Sequence, residues 1–187
     1  MKKALMIAAS VILATPAMAA EPNAAFEGFI DTTARSWFEV PEVREAMKAS
    51  NAAHTGMDED ALVRLDNAWR DEVGASEGPT IQPIVSNSIS EALRRHVETS
   101  GGLVTEIILM DNRGMNVAVS SVTSDFWQGD EAKFLETYPH GPAAVHVGEI
   151  EFDESSQSYQ VQVSFTIVDS EGAPLGAATV ALNAEMF

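Results

Sequence analysis

The sequence predicts an α+β domain in which N-terminal helices pack on a five-stranded antiparallel sheet that carries one short inserted helix. Three observations lead there. Up to residue 98, apolar residues recur every three or four positions, which is the helical period. From residue 104 onward, β-rich runs alternate apolar and polar residues and are separated by turn residues. Gly101-Gly102 divides the two halves.

In Pro22–Glu39, the residues Phe26, Phe29, Ile30, Thr33 and Trp37 share one helix face. Pro41 suits the first turn of a second helix that runs to about Ala53. Asp58 is placed to cap a third helix through Val73, with Leu62, Leu65 and Trp69 on its apolar stripe. Gly74–Pro79 reads as a loop, and a fourth helix is expected over Ile81–Glu98. Val104–Met110 and Asn116–Val122 read as two strands joined by the turn Asp111-Asn112-Arg113-Gly114. Asp130 is placed to cap a short helix carrying Phe134, Leu135 and Tyr138. Val145–Phe152, Tyr159–Val168 and Leu175–Leu182 complete what reads as a five-strand meander. The fourth strand sets Val161, Val163, Phe165 and Ile167 on one face and Gln160, Gln162, Ser164 and Thr166 on the other.

Residues 1–19 have the layout of a secretory signal peptide. Lys2 and Lys3 start it, an apolar run from Ala4 to Ala14 follows, and Ala17-Met18-Ala19 supplies the small residues that signal peptidase reads. The apolar run is about half the ~20 residues of a membrane span, so no membrane insertion is expected. Residues 20–187 then form a single domain, helical over 20–100 and sheet over 101–187, in a periplasmic location. The chain carries a net charge of −17, and removal of the two leader lysines makes it −19. Such a surface repels nucleic acid. There is no cysteine, so disulfides and thiol chemistry are excluded.

The order of helix, strand, D-N-R-G turn, strand, inserted loop and helix, then three strands resembles the PAS-like Cache (PDC) sensor domains. The segments that carry the resemblance are Thr123–Lys133, the hairpin region Gly148–Val180, and Leu65-Asp66 with Trp69-Arg70. The resemblance implies a pocket between the sheet and the inserted segment Thr123–Ala144, holding a small ligand without chemistry. Many amino-acid-binding members carry an Arg-x-Trp-Tyr-like element in the pocket loop. Asp125-Phe126-Trp127-Gln128-Gly129 stands here without the Arg, which argues against an amino-acid ligand.

The candidate ligand residues are Asp125, Trp127, Gln128 and Lys133 in the loop, and Gln162, Ser164 and Thr166 on the polar strand face. Trp127 offers a flat apolar wall, Asp125 an acceptor, Gln128 both donor and acceptor, and Lys133 a cation for a carboxylate. Each has a plainer reading: Trp127 as core, Asp125 as a turn residue, Lys133 as solvated, and the strand face as simply wet. Glu149, Glu151 and Asp153 read as a charged edge that resists pairing, in preference to a Ca²⁺ site. His54, His96, His140 and His146 show no zinc spacing, and neither a cofactor nor a metal is expected.

The function expected is an extracytoplasmic small-molecule-binding sensor that signals to a membrane receptor or histidine kinase. One alternative is an interaction protein without a ligand that dimerises through its N-terminal helices. Another is a hydrolase, against which stands the absence of a G-x-S-x-G elbow or a phosphate-cradling loop.

Overall fold

The computed structural model describes residues 22–75, 78–154 and 157–187. The expected signal peptide and part of the 74–79 loop lie outside them. The chain is α+β: helices precede a five-stranded antiparallel sheet with a short helix inserted before the third strand.

The first helix runs from α1 (Pro22–Phe29) through a π-helical turn (Ile30–Ala34) into α2 (Arg35–Phe38). The residues it buries are Phe26, Ile30, Ala34 and Phe38, while Phe29 and Trp37 are only partly covered. The expected stripe therefore shifts. A strict four-residue spacing overshoots one α-helical turn each time, and the wider π turn takes up the drift. Helix α3 (Pro41–His54) begins with its proline in the first turn. Helix α4 (Glu59–Glu72) is capped by Asp58, whose carboxylate accepts the Ala61 amide at 2.8 Å.

The single helix expected over Ile81–Glu98 is two, α5 (Ile81–Val85) and α6 (Ser88–Thr99). Asn87 makes the break. It takes an extended backbone, its side-chain oxygen accepts from the Ser90 amide at 2.8 Å, and its amide donates to the carbonyls of Ile84 and Val117. An asparagine that meets helix-end groups with its own side chain caps rather than continues.

The strands are β1 (Val104–Asp111), β2 (Asn116–Val119), β3 (Val145–Asp153), β4 (Ser158–Val168) and β5 (Pro174–Asn183). Their spatial order is β2-β1-β5-β4-β3, so the sheet is not a sequential meander. The last strand enters the middle and pairs with both β1 and β4. Its small residues Ala177, Ala178 and Ala181 suit a position buried on both faces. Strand β2 is shorter than expected.

Helices α1–α3 and α6 cover one face. Phe26, Ile30, Phe38, Met47 and Leu93 pack there on Ile107, Leu109, Val163, Phe165 and Val180. The inserted helix α7 (Ala132–Leu135) covers part of the other face, where Phe134 and Tyr138 meet Ile108, Met110 and Ala177. Asp130 does not cap α7: Glu131 holds the N-cap position, and no side chain caps it.

Candidate functional site

The second face of the sheet divides along its length. On β4, Thr166 and Ser164 are buried, and Ser164 Oγ lies 2.9 Å from Thr179 Oγ1. Towards the start of the same strand, Gln162 and Gln160 border open space. Two clefts adjoin there, of about 380 and 500 Å³, sharing Glu131, Glu149, Glu151 and Gln162 in their walls. The first extends over Thr105, Glu106, Ser121, Asp153 and Gln160, and the second over Lys133, His146 and Gly148.

A β-bulge shapes this wall. Val147 pairs with Val163 and Ile150 with Val161, so Gly148 and Glu149 together oppose Gln162. The extra residue shifts the alternation of β3. His146 and Gly148 before the bulge, and Glu149 and Glu151 after it, then all border the clefts, although strict alternation would set His146 and Glu149 on opposite faces.

The polar groups of the site are organised by one another. Thr105 Oγ1 donates to Gln160 Oε1 at 2.9 Å, and Gln160 Nε2 donates to Asp153 at 2.6 Å. Ser121 Oγ donates to Glu106 Oε1 at 3.0 Å. Burial pushes the Glu106 carboxyl above the usual carboxylate range, against the downward pull of the Ser121 hydrogen bond and of Lys133. Lys133 is largely buried and lies 3.0 Å from Glu131, while its ammonium donates to Gln128 Oε1 at 3.2 Å.

Behind Lys133 stands a loop held by many hydrogen bonds. Buried Asp66 on α4 accepts the amides of Phe126 and Trp127 at 2.9 and 3.0 Å and pairs with Arg70 at 2.8 Å. Arg70 reaches on to Asp125 at 2.7 Å. Trp69 donates its indole N–H to the Thr123 carbonyl at 2.8 Å and stacks on Phe126. Trp127 donates its own indole N–H to the Arg113 carbonyl at 2.8 Å. Gly114, with φ of +78°, lies against Gly129, and a Cβ on either would overlap its neighbours. Buried Gln128 then donates to the Asp125 carbonyl at 2.8 Å, which leaves its oxygen aimed at Lys133.

Of the seven expected ligand residues, Lys133 and Gln162 therefore border the clefts. Gln128 stands behind Lys133. Asp125 and Trp127 are engaged within the loop anchor, and Ser164 and Thr166 lie in the buried part of the face. The clefts also gather Thr105, Glu106, Ser121, Glu131, Glu149, Glu151, Asp153 and Gln160. For Gln160 the signal was its place in the strand's polar row. For the β3 carboxylates it was Gly148, a glycine inside a strand run.

The Asp111–Gly114 segment is a turn, with Asp111 accepting the amides of Arg113 and Met115. Asp111 is also fully buried and holds Ser50 and His54 of α3. Ser50 Oγ donates to Asp111 Oδ2 at 2.8 Å, and that same oxygen faces His54 Nδ1. A hydrolytic relay needs the hydroxyl on the far imidazole nitrogen from the carboxylate. This trio instead pins the end of α3 to the β1–β2 turn.

No family model matches the sequence, and no curated protein matches it. Solved structures do match. The sensory domain of the Campylobacter jejuni chemoreceptor Tlp3 with isoleucine bound is 13% identical at a TM-score of 0.40, over 88% of this chain and 63% of that one. The extracellular domain of the putative histidine kinase rpHK1S-Z16 is 17% identical at 0.44, over 84% and 61%. The ligand-binding domain of the Pseudomonas aeruginosa PAO1 amino acid chemoreceptor PctC in complex with GABA is 14% identical at 0.43, over 87% and 62%. This chain spans a little over three fifths of the length of each of them. At these identities and TM-scores the likeness says nothing of what this chain binds.

Proposed function

We propose that the chain is an extracytoplasmic sensor domain that holds a small polar molecule in the clefts between β1, β4, β3 and the α7 segment, without transforming it. It reports occupancy to a membrane receptor or histidine kinase. The observation that carries the reading is the divided sheet face. Half of it is sealed by Phe134 and Tyr138, and the other half is an open hollow lined with hydrogen-bonding side chains. Its size falls in the range of small-molecule sites, roughly 300–1,000 Å³. Gln162 is the proposed contact, Lys133 walls the cleft beside it, and Gln128, Trp127 and Asp125 are the residues that position Lys133. Ser164 and Thr166 support the floor. The leader at 1–19 supports export, and among the described residues no helix is long and apolar enough to cross a membrane.

The test is thermal unfolding of the mature protein against a panel of carboxylates, amino acids, polyamines and purines. A ligand at 100 times its Kd should stabilise by about 2.7 kcal/mol. A Tm rise with one chemical class, reduced by Gln162→Ala, supports the reading, and a flat panel removes it. A second reading, an interaction protein, has one observation in its favour. Ile150, Phe152 and Tyr159, each 50% exposed, form an apolar surface on the β3–β4 hairpin. Of the expected N-terminal stripe, Phe26 and Ile30 are packed on the sheet, while Phe29, Thr33 and Trp37 are only partly covered. A flat ligand panel together with concentration-dependent self-association, abolished by Phe152→Ser, would favour it.

A further inference from the structure

Resting on the reading that the clefts are the ligand site, we propose that the ligand is a short organic cation with an amine at each end, in preference to a carboxylate or a zwitterionic amino acid.

The sheet register sets the geometry. Glu106 on β1 pairs with Ala181 on β5, Ala181 with Gln162 on β4, and Gln162 is opposed by Gly148 and Glu149 on β3. One row across the sheet thus carries a carboxylate at each end, with a methyl and an amide between them. Three strand spacings put the two end backbones about 14 Å apart. An ammonium at each end of a short chain can meet both carboxylates across such a span without either side chain reaching towards the middle. The alanine leaves depth in the middle, and the Gln162 amide offers a donor and an acceptor there.

Charge selects the sign of the ligand. Among the described residues lining the clefts, the carboxylates are Glu106, Glu131, Glu149, Glu151 and Asp153, and the basic side chains are Lys133 and His146. Lys133 is already matched by Glu131 and by the Gln128 oxygen. Even with that pair set aside, the hollow carries an excess of negative charge. A carboxylate ligand would meet repulsion there, and a cation would relieve it. Glu106 sharpens the selection. Burial disfavours its charged form, and Glu131 and Asp153 add to that, opposed by Ser121 and Lys133. An ammonium at this end favours the ionised carboxylate, so binding should release a proton and weaken as pH falls.

The experiment is isothermal titration of the mature protein with 1,4-diaminobutane, n-butylamine, succinate, L-alanine and Ca²⁺ at pH 7.5 and 5.5. Binding of the diamine in preference to butylamine, weaker at pH 5.5, is the expected result. Glu106→Gln and Glu149→Gln should each weaken it, roughly tenfold for one charge-assisted contact. Glu106→Gln should also flatten the pH dependence, which a merely structural role would not do. Circular dichroism melts confirm that both variants fold. Butylamine binding as tightly as the diamine, Ca²⁺ binding in its place, or unchanged affinity in both variants would overturn the proposal. Succinate or alanine binding that is lost in Gln162→Ala would overturn it and leave the cleft as the ligand site. No binding by these probes or by the wider panel would remove both.

Discussion

Phe165 and Gln162 lie three residues apart on one strand and belong to different physical environments. Phe165 is buried beneath the helices, edge-on to Phe38 with ring centroids 5.6 Å apart and with Arg35 over its ring. Gln162 faces the clefts on the opposite side of the sheet. The helix face is apolar and covered over β1, β5 and most of β4, and opens only towards the β3–β4 hairpin. The other face begins apolar under α7, passes through buried hydroxyls and ends open and acidic. A sheet sealed on both faces would be more stable and could hold nothing. Leaving half of one face uncovered gives up burial and gains a hollow lined with polar groups.

The largest effect should come from the sealed face. Phe165→Ala should cost about 3–5 kcal/mol in urea unfolding, while Gln162→Ala should stay within about 0.5 kcal/mol. Equal costs would mean that the second face is as much a core as the first. Next is the brace behind the cleft. Asp66→Ala leaves the amides of Phe126 and Trp127 without their acceptor and Arg70 with Asp125 alone, and should cost about 2–3 kcal/mol. Hydrogen exchange should speed up over residues 123–130 more than over β4. Uniform exchange would show that the loop is held by packing alone.

Glu106→Gln tests the acidity of the open half with a definite sign. Because burial raises the carboxyl's folded-state value, the protonated form is the one that the fold favours. The stability tied to Glu106 is complete below the unfolded carboxyl range, near pH 4, and falls away as pH rises through the raised value. The variant should therefore melt with the parent near pH 4 and a few degrees above it at pH 7.5. A lower melting point at pH 7.5 would mean that the ionised carboxylate is stabilising. Smallest is Phe152→Ser. Phe152 pairs with Tyr159 on the half-exposed hairpin, at the border of the first cleft, so the change should stay within about 0.5 kcal/mol. A larger loss would extend the sealed core to the hairpin end.

The elements were largely legible because their signals are local. Asp58 caps its helix, the Asp111–Gly114 segment turns, and Val161 to Ile167 alternate into the core, as expected from neighbours a few residues away. The corrections came where distant parts of the chain compete with local preference. Asn87 breaks a helix partly because the Val117 carbonyl is there to accept from it. The π turn depends on what Ile30 and Ala34 pack against. Trp127 looked like a pocket wall, yet its indole N–H is taken by the carbonyl of Arg113.

The sequence alone determined the α+β class, the boundary at Gly101-Gly102, most strand positions and the polar row on β4, because caps, turns and side-chain period depend on residues close in the chain. The tertiary structure decided where the hollow lies and which groups line it. Whether Gln162 or Ser164 is open depends on where α7 ends above them. Whether Glu149 shares a face with His146 depends on a bulge set by pairing with β4. Whether Glu106 and Glu149 share a row depends on β5 entering between β1 and β4. These are pairings between residues far apart in sequence, and the period of a single strand carries no record of them.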